Sequence, residues 1–172
     1  ESKSITPRQL HTSSWGVVCP TETPEGASCG LIKNLAMTAH VRISVKNDVV
    51  MEMLSQSKFI IPIVDTYKKN IILPSSCVFL GGNLVGYTHN QDELVDEMRY
   101  YRRNGMLPLF LSISVDGPDV KICNDHGCLL RPVIRGCKID QIRGVCLGRY
   151  NLWKRLIQMQ IIEYIDKDEE MN

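Results

Sequence analysis

Apolar and polar positions follow different periods along the chain. Thr23-Pro24-Glu25 has the residues of a helix start, because threonine caps, proline suits the first turn and glutamate favours the helix dipole. Apolar residues continue at helical spacing, which predicts a helix through Ala36. His40–Lys46 alternates like a strand, Asp48 begins a short predicted helix, and Phe59-Ile60-Ile61 predicts a strand that ends at Pro62.

Two glycines fall inside the first predicted helix. Gly26 and Gly30 are four residues apart, so a helix would place them on one face without side chains. Such a face lets another backbone or a ligand approach closely. The interpretations are close packing beside a functional site and ordinary tight helix packing.

Pro74-Ser75-Ser76 resembles a linker, and strands dominate after it. The stretch 77–88 contains Gly81-Gly82-Asn83 between two apolar runs, which predicts a β-hairpin. Asn90 followed by Glu93 is a capping-box pattern and predicts a helix that ends at Gly105. Three further strands are predicted, at residues 109–115, 120–123 and 128–134.

The remaining residues predict a smaller piece. Asn151 is predicted to cap a helix that carries Leu152, Leu156 and Ile157, residues 161–165 predict a strand, and 166–170 are strongly acidic. We interpret the acidic run as a solvated tail, with a metal site as the alternative. The predicted class is α+β, with short helices and mostly antiparallel strands in two or three small pieces. The predicted pieces are residues 1–74, 75–135 and 136–172.

Composition narrows the functional classes. The chain has 172 residues, of which 44% are hydrophobic and 23% charged, so it can fill a core. Twenty Lys and Arg against nineteen Asp and Glu give a net charge of +1, which excludes binding to nucleic acid by bulk charge alone but not through a local basic surface. No apolar run is long enough to predict a membrane span, and no leader follows Glu1. We interpret the chain as a segment of a longer protein.

The cysteines predict reduced thiols rather than a disulfide framework or a metal site. Seven are scattered along the chain, and the nearest pair, Cys123 and Cys128, has His126 between its members. This group offers half of a zinc site at most, because no second pair completes it. We therefore predict no metal site and no cofactor in this chain.

Candidate chemistry concentrates near the amino end, at residues 8–26. Arg8 can clamp a phosphate, Gln9 can donate to a sugar or base edge, and Glu22 and Glu25 form a possible carboxylate pair. Three residues fix the backbone of this stretch, namely Pro20, Pro24 and Gly26. Carboxylates at this spacing more often cap helices or make surface ion pairs. Phosphate-loop, zinc-protease and nucleophile-elbow motifs are missing from the sequence.

Two basic groups have open interpretations. Arg99, Arg102 and Arg103 accompany two tyrosines on the predicted helix, and residues 131–155 hold seven basic residues and one acid. Each group can meet phosphates, an acidic protein surface or solvent. The second includes Arg135, Lys138 and Arg143, a possible docking surface.

Several motifs resemble a known family. They are R-Q-L-H at residues 8–11, W-G-V-V-C-P-T-E-T-P-E-G at 15–26 and C-G-L-I-K-N-L-A at 29–36. This order resembles the fork region of the second-largest, bacterial β-like subunit of multisubunit DNA-directed RNA polymerases. Three further stretches, at residues 78–87, 99–105 and 125–132, resemble the external domain that follows the fork. The eukaryotic, archaeal and large-DNA-virus branch is the more similar one, although Ser14 stands where many relatives have histidine.

The resemblance implies a place beside the polymerase active centre. Residues 1–74 would be the fork segment and connector, 75–135 the external domain and 136–172 a short following domain. Arg8 and Gln9 would approach nucleic acid, and Glu22 and Glu25 would lie close to the nucleotide-addition site. Pro20, Pro24 and Gly26 would hold the loop in shape, with no catalytic residue in this segment.

The resemblance also implies partners and a metal outside this chain. The partners would be the largest subunit, the smaller subunits, template DNA and nascent RNA, but no membrane. Mg²⁺ would be bound by the largest subunit. The alternative function is a module that docks a subunit or factor without touching nucleic acid. Seven cysteines, seven methionines and a divergent middle favour a large DNA virus, hence the infected cytoplasm or the virion, with the nucleus as the alternative location.

Overall fold

Two β-sheets and six short helices make up the part of the chain that the computed structural model describes, residues 4–44, 46–69, 74, 76–145 and 151–171. The strands are β1 (His40–Val41), β2 (Ile60–Pro62), β3 (Ser76–Leu80), β4 (Asn83–Thr88), β5 (Ser112–Asp116), β6 (Asp119–Cys123), β7 (Leu129–Ile134) and β8 (Ile162–Ile165). The helices are α1 (Asp48–Gln56), α2 (Ile63–Lys69), α3 (Gln91–Arg103), α4 (Gln141–Val145), α5 (Leu152–Gln158) and α6 (Lys167–Glu170). The predicted α+β class is therefore confirmed.

The larger sheet has five strands in the order β2-β4-β3-β6-β5. Its neighbours are antiparallel except for β3 and β6, which run parallel. The predicted hairpin is β3–β4, and Gly81 and Gly82 turn it at φ values of +55° and +77°, a region that favours glycine. Because β3 and β6 are parallel, the chain between them must cross over, and that crossover contains α3.

Helix α3 forms where its local sequence predicts it. The Asn90 side chain accepts a hydrogen bond from the Glu93 backbone N–H at 3.3 Å and so caps the first turn. Its apolar face buries Leu94, Val95 and Met98 in a core shared with α1 and the five-stranded sheet. This core holds the larger half of the molecule together.

The smaller sheet joins distant parts of the sequence. Its antiparallel order is β1-β7-β8, so β7 does not continue the sheet of β5 and β6. A second, smaller core lies beside this sheet, around Val145, Leu156, Ile161 and Ile162. Each sheet thus draws strands from more than one of the three predicted pieces, and the boundaries of those pieces stay a prediction.

The helix predicted from Thr23 through Ala36 is wrong. Only a single 3-10 turn, Gly26–Ser28, forms there. Gly26 and Gly30 have φ values of +81° and +74°, which are incompatible with a right-handed helix. The helical spacing of apolar residues in this stretch does not reflect a buried helix face, because Leu31, Ile32 and Leu35 remain about half exposed.

Smaller differences concern element ends. The strand predicted at His40–Lys46 is only two residues long, and Val45 lies outside the described residues. Asn151 precedes α5 in the left-handed region at φ 57° and makes no side-chain cap, so the predicted capping is wrong. The predicted linker at residues 74–76 includes Ser75, which is also outside the described residues, whereas Ser76 begins β3.

Candidate nucleic-acid interface

The candidate residues near the amino end lie on and beside one closed loop. Val18 and Leu35 form an isolated antiparallel bridge, and the Cys19 N–H donates to the Asn34 carbonyl at 2.8 Å. These contacts close the base of residues 20–33, which we call the glutamate loop. Glu22 and Glu25 are both exposed on it. The structure therefore brings the two predicted carboxylates into one loop and presents them to solvent.

Hydrogen bonds inside the glutamate loop hold its two arms together. The Thr23 hydroxyl donates to the Ile32 carbonyl at 3.0 Å and accepts from the Gly30 N–H at 2.8 Å. The Asn34 amide donates to the Glu22 carbonyl at 3.1 Å. The sequence pattern missed this role of Thr23, because a threonine before proline is equally typical of a helix cap.

Arg8 lies against the same loop. Its Nη1 donates to the carbonyls of Ala27 and Cys29, both at 2.8 Å, and its Nε donates to the Ser4 carbonyl at 3.2 Å. The side chain is half-buried, whereas the neighbouring Gln9 is exposed. Arg8 is thus bound to the glutamate loop, whereas the side chain of Gln9 next to it is open to solvent.

The predicted loop-shaping residues lie along the arm that leads to Glu25 and at the turn that follows it. Pro20 and Pro24 are exposed and restrict the arm that leads to Glu25. Glu25 itself is extended, with φ −75° and ψ 160°, and Gly26 then turns the chain at φ +81°. A residue with a Cβ is strained at that φ, so Gly26 fits the role expected of it.

The segment preceding the loop is seated on the smaller sheet. A Cβ placed on Gly16 would lie 3.1 Å from the Arg131 Cδ, so the turn at Gly16 contacts the β7 side chain closely. Arg131 also pairs with Glu170 of α6. The Glu170 carboxylate has a pKa below its usual value, because the Arg131 hydrogen bond outweighs its slight burial.

Large apolar side chains are exposed around this site. Trp15 is 78% exposed beside an apolar groove, and Leu31, Ile32 and Leu35 are each about half exposed. No residue between Ser4 and Val41 is buried. Exposed apolar surface of this kind is typical of a segment that contacts other parts of a larger assembly.

The acidic run at residues 166–170 is not a solvated tail, and that prediction is wrong. It forms α6 together with its capping residue Asp166, and the side chains of Asp166 and Glu169 are buried. Asp166 accepts a hydrogen bond from the buried Arg42 at 2.9 Å, and Glu169 accepts two from Arg102 at 2.7 Å. The partners are far away in sequence, so no local pattern indicates the pairing.

The first basic group, Arg99, Arg102 and Arg103, makes ion pairs inside the protein. Arg102 is 3% exposed and pairs with Glu169 and with Glu163 of β8. Burial lowers the pKa of Arg102, but the hydrogen bonds and charges of the two carboxylates outweigh it, so the pKa lies above its usual value. Arg103 pairs with Glu163 at 2.7 Å and Arg99 with Glu169 at 3.5 Å. All three arginines are thus paired with internal carboxylates.

The second basic group is partly engaged. Arg135 also pairs with Glu163, at 2.9 Å, and the Lys138 ammonium donates to the Met159 carbonyl at 2.8 Å. The side chain of Arg143 lies outside the described residues. A docking role for these three residues stays a prediction.

The thiols of the described cysteines are free. Burial raises the pKa of Cys123 and of Cys128 above the usual thiol value, despite the nearby charge of Arg42. Across the described ranges, no three His, Cys, Asp or Glu side chains come together as a possible metal site. In that same part of the chain, no helix is long and apolar enough to cross a membrane.

Two protein-family models match the sequence at the sites just described. One is RNA polymerase Rpb2, domain 3, over residues 1–41, and the other is RNA polymerase Rpb2, domain 4, over residues 78–135. The first contains the glutamate loop, and the second contains the hairpin except for the first two residues of β3, together with α3 and the strands β5 to β7.

Whole-chain comparisons agree with the family models. The chain is 32% identical to the DNA-directed RNA polymerase III subunit RPC2 of Drosophila melanogaster over 95% of its length. It is 35% identical to the DNA-directed RNA polymerase II subunit RPB2 of Meyerozyma guilliermondii over 99%, and 31% identical to the DNA-directed RNA polymerase subunit Rpo2 of Sulfolobus acidocaldarius over 96%. It spans 15–16% of the length of these relatives. The chain therefore belongs, as a segment, to the family of second-largest subunits of DNA-directed RNA polymerases.

Proposed function

We propose that this chain contributes the fork loop beside the active centre of a DNA-directed RNA polymerase, in template-directed RNA synthesis. The proposal rests on one observation above all: the stretch that matches Rpb2 domain 3 folds into a closed loop that presents Glu22 and Glu25 to solvent. The chain alone would not polymerise nucleotides. It would act within the multisubunit enzyme.

The exposed groups suit a place next to nucleic acid. The Gln9 amide can donate to phosphate or sugar oxygens, and Arg8 adds a positive charge beside it. The carboxylates of Glu22 and Glu25 can accept hydrogen bonds from ribose hydroxyls or ordered water. Pro20, Pro24 and Gly26 would keep these groups fixed, which is what alignment of a reacting nucleotide requires.

The metal for phosphoryl transfer would come from another subunit. The described residues offer no group of three ligating side chains for such a metal. We propose that Mg²⁺ is bound by the largest subunit. The further partners would be the smaller polymerase subunits, template DNA and nascent RNA, with no role for a membrane.

Substitution of Glu25 in the assembled polymerase tests this function. We expect Glu25→Gln to slow nucleotide addition about tenfold, which corresponds to about 1.4 kcal/mol of lost transition-state stabilisation. The matched control is Glu93→Gln, on an exposed residue of α3. Elongation and fidelity equal to the wild type in Glu25→Gln would remove Glu25 from the site.

A second candidate function is docking of a subunit or factor through residues 134–139. Ile134 and Ile139 are 55% and 56% exposed and flank Arg135 and Lys138, so apolar and basic groups share one surface. The double variant Lys138→Glu with Ile139→Asp should then weaken assembly and leave elongation by assembled enzyme unchanged. Slower elongation by the intact complex would contradict docking.

The source of the protein remains part of the proposal. The relatives described above are eukaryotic and archaeal and do not support a viral origin, so that origin rests on the cysteine and methionine content and on the divergent middle alone. With a viral origin, the enzyme would work in the cytoplasm of an infected cell or in the virion. The nucleus is the alternative location.

A further inference from the structure

We propose that Arg8 is a positioning residue, which fixes Glu25 by holding the glutamate loop instead of contacting nucleic acid itself. This inference rests on the proposed function, because it assigns the means by which Glu25 is kept in place. It concerns the guanidinium of Arg8, the turn that follows Glu25, and the backbone of Gly30.

The first step is where the guanidinium of Arg8 is directed. Its Nη1 donates to the carbonyls of Ala27 and Cys29, each at 2.8 Å. These carbonyls belong to the 3-10 turn that begins directly after Glu25 and to the residue that ends it. Hydrogen bonds from a charged donor are stronger than neutral ones, so Arg8 holds the turn at two of its carbonyls.

The second step is the backbone of Arg8. A Cβ on Gly30 would lie 2.5 Å from the Arg8 carbonyl oxygen and 2.9 Å from its Cα, and Gly30 has φ +74°. Only glycine lets the returning arm of the loop approach Arg8 this closely. Side chain and backbone of Arg8 therefore both contact the arm that follows Glu25.

The third step is the bracket around Glu25. Thr23 lies two residues before it and links the outgoing arm to Gly30 and Ile32 on the returning arm. Arg8 holds the turn after it. Glu25 itself is exposed between these two anchors. Without Arg8, one anchor remains, and the turn at residues 26–28 can move together with the carboxylate.

The variant Gly30→Ala distinguishes positioning of the loop by Arg8 from direct contact between Arg8 and nucleic acid. Its Cβ direction points at Arg8, so Gly30→Ala disturbs the bracket through the Arg8 backbone without removing any charge. A phosphate contact by Arg8 would instead depend on its charge, and its loss would reduce the salt dependence of nucleic-acid binding. The two accounts predict different results for the same set of variants.

The experiment uses the complete polymerase with five variants in this chain: Glu25→Ala, Arg8→Ala, Gly30→Ala, the double variant Arg8→Ala with Glu25→Ala, and the control Arg155→Ala on an exposed arginine of α5. The rate of single-nucleotide addition at saturating nucleotide and the apparent KM are measured. We expect Arg8→Ala and Gly30→Ala to lower the rate at saturation as Glu25→Ala does, and the double variant to be less than twofold slower than the slower single variant. Arg155→Ala should behave as wild type.

Amide exchange and the salt dependence of nucleic-acid binding are two further measurements that test whether Arg8 positions the loop. Amide exchange at residues 26–31 should quicken at least tenfold in Arg8→Ala and in Gly30→Ala, and unchanged exchange overturns the inference even where rates fall. The salt dependence of nucleic-acid binding should be the same in Arg8→Ala as in wild type. Multiplicative rate losses in the double variant, or a shallower salt dependence, also overturn the inference. If Glu25→Ala alone has no effect on rate, the proposed function fails, and the exchange data still decide whether Arg8 holds the loop.

Discussion

Arg102 is a buried residue that pairs with two buried carboxylates. Its guanidinium donates to Glu169, Glu163 and the Leu111 carbonyl, so α3, β8, α6 and the approach to β5 meet at one side chain. Such a pair contributes little over an apolar replacement, but removing one partner leaves an uncompensated buried charge. Removing Arg102 alone should therefore lower the free energy of unfolding by more than the ion pairs add to it relative to an apolar replacement.

Replacement of Arg102 should destabilise the chain strongly. We expect Arg102→Ala to lower the free energy of unfolding by about 3–5 kcal/mol, because Glu169 and Glu163 lose their shared partner inside the protein. Urea unfolding measures the change. Arg155→Ala, on an exposed arginine, should stay within about 0.5 kcal/mol of wild type. Equal stabilities of the two variants would show that the pairing does not matter.

The ionisation of the Glu163 carboxyl makes the free energy of unfolding depend on pH. Burial would raise its pKa, but the hydrogen bond from Arg103 and the charges of Arg103, Arg102 and Arg135 outweigh burial, so the folded-state pKa lies below the usual value. The stabilisation of the folded state by ionised Glu163 is therefore fully present above the pKa of about 4.3 that the group has in the unfolded chain. It is lost as the pH falls through the lower pKa of the folded state.

The corresponding experiment is a pH series of unfolding free energies. The wild type should lose stability below about pH 4, whereas Glu163→Gln should be less stable at pH 7 and fall less on acidification. Parallel profiles for the two proteins would rule out Glu163 as a source of the acid sensitivity.

At the scale of elements, local sequence predicts what local interactions decide. The strands β3 and β4 and the helix α3 follow from turn glycines and from the Asn90 cap, all within a few residues. Residues 23–36 carry an equally good helical spacing, yet positive φ values at Gly26 and Gly30 and contacts with Arg8 override it. Spacing alone could not reveal that these glycines turn the chain.

The candidate site was predictable in its parts but not in its connections. The sequence indicates Arg8, Glu22 and Glu25 as polar groups on a stiff stretch, and the structure places Arg8 against the loop that carries both carboxylates. The pairing of Asp166 with Arg42 spans 124 residues of sequence, so its burial could not be predicted from the acidic run. A single sequence does not show which charged residues far apart along the chain pair with one another.

The pairing of β2 with β4 depends on Gly86. A Cβ there would lie 2.5 Å from the Ile61 carbonyl oxygen, a backbone atom that cannot move away freely. We expect Gly86→Ala to destabilise the chain by about 1–3 kcal/mol, the range typical of overpacking. Gly136→Ala is the matched control, because nothing lies within 4 Å of its Cβ position. Thermal unfolding of both variants checks this, and a harmless Gly86→Ala would mean that the edge strand shifts at little cost.

The whole molecule combines a well-packed part and an uncovered part. The main core reaches from α1 across the five-stranded sheet to α3, whereas residues 4–41 bury no side chain and expose Trp15 almost fully. The first part is packed around a continuous buried cluster. The second part gains its order from turns, hydrogen bonds and contact with β7.

Amide exchange of the isolated chain should reproduce this division. Val78, Val120 and Ile122, in the central strands, should exchange most slowly, and residues 10–37 should exchange rapidly because few buried contacts oppose local opening. Mass spectrometry of proteolytic fragments provides the measurement. Strong protection around Leu31, Ile32 and Leu35 would show that this segment is covered without any partner.

The sharing of one arginine by two carboxylates also constrains how the sequence can drift. A lineage that loses Arg102 leaves the buried Glu163 and Glu169 with only their outer partners, Arg103, Arg135 and Arg99, and a lineage that loses Glu169 leaves the buried Arg102 with Glu163 alone. Single steps away from the group are therefore penalised. Positions 102, 163 and 169 should consequently change in concert across descendants of a common ancestor, and a neutral combination at all three should survive where a half-replaced one does not.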